Sequence, residues 1–558
     1  MTHDGEFHQS FPALRDQWTS DAVLRSVLRR LLPADVMADV APSLARMGAL
    51  AAGALRSLGD RAEAEPPRHV PYDPWGRRTD DIVVSDAWRA LDRLSAEEGV
   101  VATAYERKHG ALSRVHQFAL LYLFAPSSAV YSCPLAMTDG AARVLELSGA
   151  TDADRAAFAC LTSRDPARFW TSGQWMTERT GGSDVSGTST VARRDGDAWR
   201  LWGTKWFTSA TTSQMALTLA RVDGGDGLTL FAVEPRDASG ALRGVRVNRL
   251  KDKLGTKALP TAELTLEGAP ARMIGAAGRG VRTVASLLNV TRLYNACCAA
   301  AGMRRALVLA TDYARVRTAF GRPIIEHPLH AETLAAMAVE CEVAAQLVFR
   351  AAALLGREEC GVATPDERAV LRALTPIVKL YTGKQAVAVA SEAIEAFGGA
   401  GYVEDTGLPR LLRDAQVLSI WEGTTNVLSL DLLRALERDG ALAPFLADAR
   451  HRLDGVRLPE LAGAAARTQD ALGRIERYAA EPRTREAAEA GARAFAFAMA
   501  RTYAATLLLE HAEWAWRAEG DQRPAVLARR WCAGELAPLV AADAAWRAET
   551  GLLVARSQ

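Results

Sequence analysis

The chain predicts an α+β protein, mainly α, with a small β-barrel or sandwich between two helical halves and a further helical region behind them. Three observations carry this. Residues up to about 170 alternate helical spacing with proline-rich breaks; from Gln174 to Gly268 the apolar period falls from about 3.6 to about 2; from Gly280 onward helical spacing returns in long runs. The expected units are an N-terminal helical domain over 1–172, a middle β domain over 173–279, a helical bundle over 280–440 and an extra helical domain over 441–558. A chain of 558 residues is too long for one core, which agrees with several units.

In the first unit, helical spacing runs over Asp21 to Leu32, Pro33 to Leu58, Ala87 to Lys108 and Ala111 to Tyr131. The break from Glu65 to Trp75 holds four prolines and reads as an extended surface crossing between helices. In the middle unit, strand-like runs cover Thr188 to Arg194, Trp199 to Gly203, Met215 to Val222, Leu228 to Val233, Val245 to Leu250 and Glu263 to Glu267, separated by turn signals. There is no βαβ alternation, so Gly275-x-x-Gly278-x-Gly280 has neither the spacing nor the setting of a dinucleotide fingerprint. Long helices are expected over Val281 to Arg315, His327 to Leu355 and Asp366 to Phe397, as in an antiparallel bundle.

Composition excludes some partners. A formal charge of +1 makes no global case for nucleic acid or membrane binding. The seven cysteines, Cys133, Cys160, Cys297, Cys298, Cys341, Cys360 and Cys532, form no Cys-x-x-Cys pair and no zinc spacing with histidine, so no metal site is expected. The N-terminus carries Asp4 and Glu6 and no apolar leader pattern, and no apolar run reaches the roughly 18 residues of a membrane span; a cytoplasmic protein is expected.

Chemistry concentrates in three places. Glu422 lies between Ile420-Trp421 and Gly423, where apolar walls can raise a carboxyl pKa and a glycine leaves room for a ligand; a solvated loop glutamate is the ordinary alternative. Met176-Thr177-Glu178-Arg179-Thr180-Gly181-Gly182-Ser183-Asp184 combines hydroxyls and backbone N–H groups suited to a polar ring or phosphate. Lys205-Trp206-Phe207-Thr208-Ser209 offers aromatic faces and hydroxyls, although Trp-Phe in a strand can equally be core packing.

The blocks Phe397-Gly398-Gly399-x-Gly401-Tyr402, Leu411-x-Arg413-Asp414 and Trp421-Glu422-Gly423-Thr424 resemble, in order and spacing, the C-terminal signature of the acyl-CoA dehydrogenase flavoproteins. Trp75-Gly76-Arg77-Arg78-Thr79-Asp80-Asp81 and Leu250 to Lys257 resemble the branch of the adaptive-response flavoprotein AidB. The resemblance implies that family's fold: an N-terminal helical domain, a middle β-barrel and a C-terminal four-helix bundle, here with an extra helical domain. It implies FAD as cofactor and Glu422 as the base that removes the α-proton of an acyl-CoA thioester while the β-hydrogen leaves as hydride to flavin N5. The thioester oxygen would be held by the Glu422 backbone N–H and a flavin ribityl hydroxyl.

Carried over residue by residue, the resemblance places FAD against Gln174, Thr177, Gly182, Ser183, Trp206, Phe207, Thr208 and Ser209. From a neighbouring subunit and the motif ends it adds Arg317, Phe320, Glu395, Gly398, Gly399, Trp421, Gly423, Thr424 and Asn426. Arg317, in Arg317-Thr318-Ala319-Phe320-Gly321, would reach the neighbour's flavin pyrophosphate, which implies a dimer or tetramer. Where some members carry their catalytic Glu, this chain has Thr291, so Glu422 has no competitor. An electron-transfer flavoprotein is the implied electron acceptor. Two other readings stand beside dehydrogenation: a DNA-associated protective flavoprotein with little turnover, and a flavin oxidase of a small nitro or amine compound. The tail from Ala441 has 16 Arg and no Lys against 15 Asp plus Glu, so it lacks bulk positive charge and favours subunit packing over DNA.

Overall fold

The computed structural model describes residues 11–540 and 544–554; Asp4, Glu6 and the Trp546 side chain lie outside the described residues. The N-terminal unit is built of helices Ala22–Leu31, Ala34–Ala52, Ala54–Ala64, Asp86–Glu97, Ala102–Glu106, Ser113–Phe124, Ser132–Ser148 and Asp152–Leu161. The Asp21 carboxylate starts the first by accepting from the Leu24 N–H at 3.0 Å. The run expected over Pro33 to Leu58 is two helices, because Gly53, at φ −119° and ψ −104°, leaves helical geometry between them.

The proline-rich break is more ordered than a surface crossing. Arg68–Tyr72 and Arg78–Val83 pair as an antiparallel hairpin, and Pro71 falls at the irregularity between Val70 and Tyr72, where no ladder N–H is needed. Asp73 Oδ1 shapes the tip by accepting from the Trp75 and Arg77 N–H groups, both at 2.9 Å. The hairpin is fastened to the middle unit through Arg78, which donates to the Val247 carbonyl at 2.8 Å, and Asp80, which accepts from the Val247 N–H at 3.1 Å.

The middle unit is a closed barrel. Pairing runs from Val191–Asp195 to Ala198–Ser209, then Thr261–Ile274, Leu228–Val233 and Met215–Val222, and returns to Val191–Asp195. Ser172–Trp175 lies parallel beside Met215–Thr218, and Val245–Leu250 pairs with Thr261–Ile274. Within its wall, Lys205 Nζ donates to Glu178 Oε1 at 2.8 Å, with both side chains buried. Glu178 also accepts from the Ser189 N–H and hydroxyl, both at 2.7 Å, and from the Thr190 N–H at 3.2 Å and hydroxyl at 2.5 Å.

Burial drags the Lys205 ammonium down, whereas these donors outweigh burial at the carboxylate and hold Glu178 at about 2. Because its folded pKa lies below its ordinary value of 4.5, the stability Glu178 contributes is complete above 4.5 and lost as pH falls toward 2. Glu178→Gln is expected to cost about 1.5 to 3 kcal/mol at pH 7 and to flatten the acid limb of a melting-temperature-versus-pH curve. An acid limb identical to wild type would show that another carboxylate dominates it.

The bundle consists of Ala285–Val316, Pro328–Glu359, Pro365–Ala396 and Thr425–Arg438, with the short helix Pro409–Leu418 against it. A reciprocal Thr364–Glu367 capping box starts the third long helix. The extra unit, Leu442–Asp454, Ala462–Ala480, Arg485–Glu519 and Arg523–Ala533, packs on the bundle's outer side. Tyr381 meets Phe497 and Trp531 edge-on at 5.9 and 6.3 Å.

Candidate active site

Glu422 lies on the turn between Pro409–Leu418 and Thr425–Arg438, in a left-handed conformation (φ 57°) that a non-glycine residue adopts only when its surroundings impose it. The surroundings are visible. Asn295 Nδ2 donates to the Trp421 carbonyl at 3.4 Å, Arg292 Nε to the Glu422 carbonyl at 3.2 Å and Lys379 Nζ to the Gly423 carbonyl at 2.6 Å. The half-buried Glu422 carboxyl is met from two sides: Thr291 Oγ1 donates to Oε2 at 2.7 Å, and the Gln174 side chain hydrogen-bonds it from the barrel edge. Loss of water raises its pKa; Thr291, Arg292, Lys379 and Gln174 pull it back without cancelling the rise. The Glu422 N–H finds no backbone acceptor among the described residues.

Gln174 is the link from this carboxyl to the barrel blocks. It precedes Thr177 by three residues, and the Trp206 N–H donates to the Thr177 carbonyl at 3.0 Å, joining the two predicted loops. Trp206 and Phe207 fall in an irregularity of the ladder between Lys205 and Thr208, which frees them from strand packing; Phe207 is 54% exposed. The Trp206 ring is flanked by cations, with Lys251 Nζ 3.6 Å and Arg179 Cζ 5.0 Å from its centroid. Gly182 is required by contact: a Cβ there would come within 2.5 Å of Thr177 Oγ1. Ser183 is exposed. The Thr208 hydroxyl donates to the buried Ala262 carbonyl at 2.7 Å, which leaves its lone pairs for another partner. Ser209 Oγ is 3.1 Å from Thr261 Oγ1.

The remaining predicted residues are elsewhere in the chain. Arg317 ends the Ala285–Val316 helix, 26 residues beyond Thr291, or about 39 Å along the axis. It leads into a two-residue hairpin whose tip, Phe320, is 96% exposed. Glu395, Gly398 and Gly399 are exposed at the end of the Pro365–Ala396 helix, and the Tyr313–Phe397 ring contact at 4.8 Å places them beside the Arg317 end. One chain therefore carries two separated clusters. Trp421 and Gly423 belong to the Glu422 turn, exposed Thr424 begins the following helix, and Asn426 Oδ1 accepts from Arg493 of the extra unit at 3.3 Å.

Three contributors escaped the sequence reading, Lys379, Arg292 and Asn295, whereas Asp414 figures there only as part of a motif block. Asp414 Oδ1 accepts from the Thr256 N–H at 2.6 Å, so the two motif segments around Lys253 and Arg413 are joined. Burial, with Glu63 nearby, lifts Asp414 to about 6. Lys379 alone left a local signal, a lysine inside the apolar run Ile377-Val378-Lys379-Leu380-Tyr381.

Family models match along the chain in order: the adaptive response protein AidB N-terminal domain over residues 11–165, the acyl-CoA dehydrogenase middle domain over 173–269, the acyl-CoA dehydrogenase C-terminal domain over 278–437, and the acyl-CoA dehydrogenase 11 C-terminal domain-like model over 440–552. Acyl-CoA dehydrogenase family member 11 of Caenorhabditis elegans is 44% identical over 532 residues, covering 91% of this chain and 86% of the relative. AidB of Escherichia coli K12 is 34% identical over 401 residues, covering 70% and 73%. The solved structure of C. elegans ACDH-11 in complex with C11-CoA superposes with a TM-score of 0.94 at 41% identity, covering 99% of this chain and 98% of that one. With all four units matched and two relatives aligned over most of its length, the chain belongs to the acyl-CoA dehydrogenase family, in its AidB-like branch.

Proposed function

We propose that this enzyme carries out α,β-dehydrogenation of an acyl-CoA thioester with FAD as cofactor. The observation that carries the reading is the Glu422 carboxyl, proton-seeking through burial and oriented by Thr291 and by Gln174 of the barrel edge. The residues present suit a flavin. Among the described residues, Gln174 Oε1 and Trp175 Nε1 are buried without a hydrogen-bond partner. When bound, FAD supplies the two-electron acceptor. Thr177, Gly182, Ser183, Trp206 and Phe207 would hold it, Glu422 takes the α-proton, and the unpartnered Glu422 N–H is available to the thioester oxygen as charge develops there. The bound C11-CoA of the C. elegans neighbour supports a thioester carrier. Mass spectrometry of the purified protein is expected to find FAD; a colourless protein that takes up no FAD would overturn the proposal.

The two separated clusters support a composite site. Arg317 lies about 39 Å along its helix from Thr291, which supports the family reading in which this arginine reaches the flavin pyrophosphate held by a neighbouring subunit. Arg317→Ala is expected to weaken FAD retention by roughly 1.5 to 3 kcal/mol, read by dialysis against apoprotein. Unchanged affinity would place Arg317 away from the cofactor. An electron-transfer flavoprotein is the proposed reoxidant, and a cytoplasmic location is part of this reading; no helix among the described residues is long and apolar enough to cross a membrane. A packing role for the extra unit is supported by its arginines, since Arg450, Arg474, Arg485, Arg517, Arg523 and Arg530 are each paired with a glutamate.

A further inference from the structure

Lys379 is 1% exposed in the middle of the Pro365–Ala396 helix, between Val378 at 0% and Leu380 at 1%. A buried ammonium is costly unless a carboxylate pairs with it. Among the described residues none lies within ion-pair distance, and the one hydrogen bond of Nζ goes to the Gly423 carbonyl at 2.6 Å. The charged groups facing it are few. Glu422 attracts it from the turn, and Arg292 opposes it from the Ala285–Val316 helix. Arg292 is itself committed to Asp431 of Thr425–Arg438 at 2.7 Å, and Arg372, on the same helix as Lys379, takes the other Asp431 oxygen at 2.9 Å. Lys379 is thus the cation beside the base whose charge no other carboxylate absorbs.

We propose that Lys379 is a positioning residue of the reaction, which fixes the left-handed Trp421–Gly423 turn through the Gly423 carbonyl and holds a cation beside the Glu422 carboxyl. The inference rests on the reading of Glu422 as the base. Asn295 and Arg292 hold the two preceding carbonyls, so the turn is anchored at three successive residues, yet only Lys379 combines an anchor with an uncommitted charge. Burial brings Lys379 to about 7, so its charge titrates in the working range and is coupled to that of Glu422. The direction is definite: a cation favours the ionised carboxylate, and its removal raises the affinity of Glu422 for a proton.

The test titrates the Glu422 carboxyl in the FAD-loaded protein by infrared difference spectroscopy, with Glu422→Gln as the blank, in wild type, Lys379→Met, Lys379→Gln and Lys379→Arg. This readout needs no substrate. Lys379→Met and Lys379→Gln are expected to raise the proton affinity of Glu422 about tenfold, moving the midpoint up by about one pH unit, and Lys379→Arg to restore it. In parallel, the acid limb of flavin bleaching by an acyl-CoA that reduces the wild type moves up by the same amount, with kcat falling more than KM rises. Flavin absorbance and melting temperature identify any variant that has lost its fold, and the glutamine variant, which keeps a donor, stands in for methionine there. An unmoved midpoint in the charge-free variants overturns the proposal. A moved midpoint with full activity in Glu422→Gln would instead overturn the base assignment and leave the electrostatic role of Lys379 standing.

Discussion

Glu422→Gln is expected to slow anaerobic flavin bleaching by an acyl-CoA about 100- to 10,000-fold, or roughly 3 to 5 kcal/mol in the barrier, while FAD stays bound. The amide keeps the shape of the side chain and accepts the Thr291 hydroxyl as the carboxylate does, but it cannot take the α-proton. Carrying no charge, it also ends the attraction that raises the proton affinity of Lys379. Two structural facts separate this expectation from that for a surface glutamate. The raised pKa has burial as its first cause, and the left-handed backbone at φ 57° is held by three side-chain donors, an expense that a solvated loop does not bear. The check is stopped-flow bleaching with short, branched and long acyl-CoAs, for wild type and variant. Equal rates would remove Glu422 from the mechanism; no bleaching of the FAD-loaded wild type by any thioester would move weight to the protective-flavoprotein reading.

How much of this was legible in the sequence depended on whether the signal was local. Met215–Val222, Leu228–Val233 and Val245–Leu250 begin and end where the apolar patterning indicates, because the first two pack a continuous run against the barrel core and the third turns Val245 and Val247 into it. Ser172–Trp175 left no such trace: it is four residues long, polar at Ser172 and Gln174, and becomes a strand only through its parallel partner 43 residues on. The Arg68–Tyr72 strand hid behind its prolines, since a bulge can house what a ladder cannot.

The site divides in the same way. Glu422 stands out beside its glycine, but the groups that tune it come from positions 174, 291 and 379, the hydroxyl alone from 131 residues away, and no short-range pattern joins them. Thr291 could be read as the absence of a rival base; that it also donates to the remaining one required coordinates. The family pattern singled out Arg317, and helix length shows how far from Glu422 it lies in the same chain, which no local pattern could tell.

Arg114→Met is expected to be the most damaging change outside the active site, at about 3 to 5 kcal/mol, because it removes the guanidinium that pairs with two buried carboxylates at once. Arg114 Nη1 donates to Asp139 Oδ2 at 2.6 Å, and Nε and Nη2 donate to the two oxygens of Glu359 at 2.6 and 2.9 Å. Around Asp139 converge the Gln117 amide at 2.6 Å, the Tyr294 hydroxyl at 2.9 Å and the Tyr105 hydroxyl at 2.8 Å. The network ties the N-terminal unit to the Ala285–Val316 and Pro328–Glu359 helices, and Tyr294 sits one turn past Thr291, so its loss is expected to reach the base as well. The charges of Asp139 and Glu359 hold Arg114 protonated despite burial, whereas burial and the charge of Asp139 hold both tyrosines in their phenol form. Arg114→Lys keeps the charge but not the planar fork, and is expected to recover part of the stability. Chemical unfolding followed by both flavin release and far-ultraviolet circular dichroism checks the order wild type, then lysine, then methionine. A methionine variant as stable as wild type would show that the network is a consequence of packing and not a cause of it.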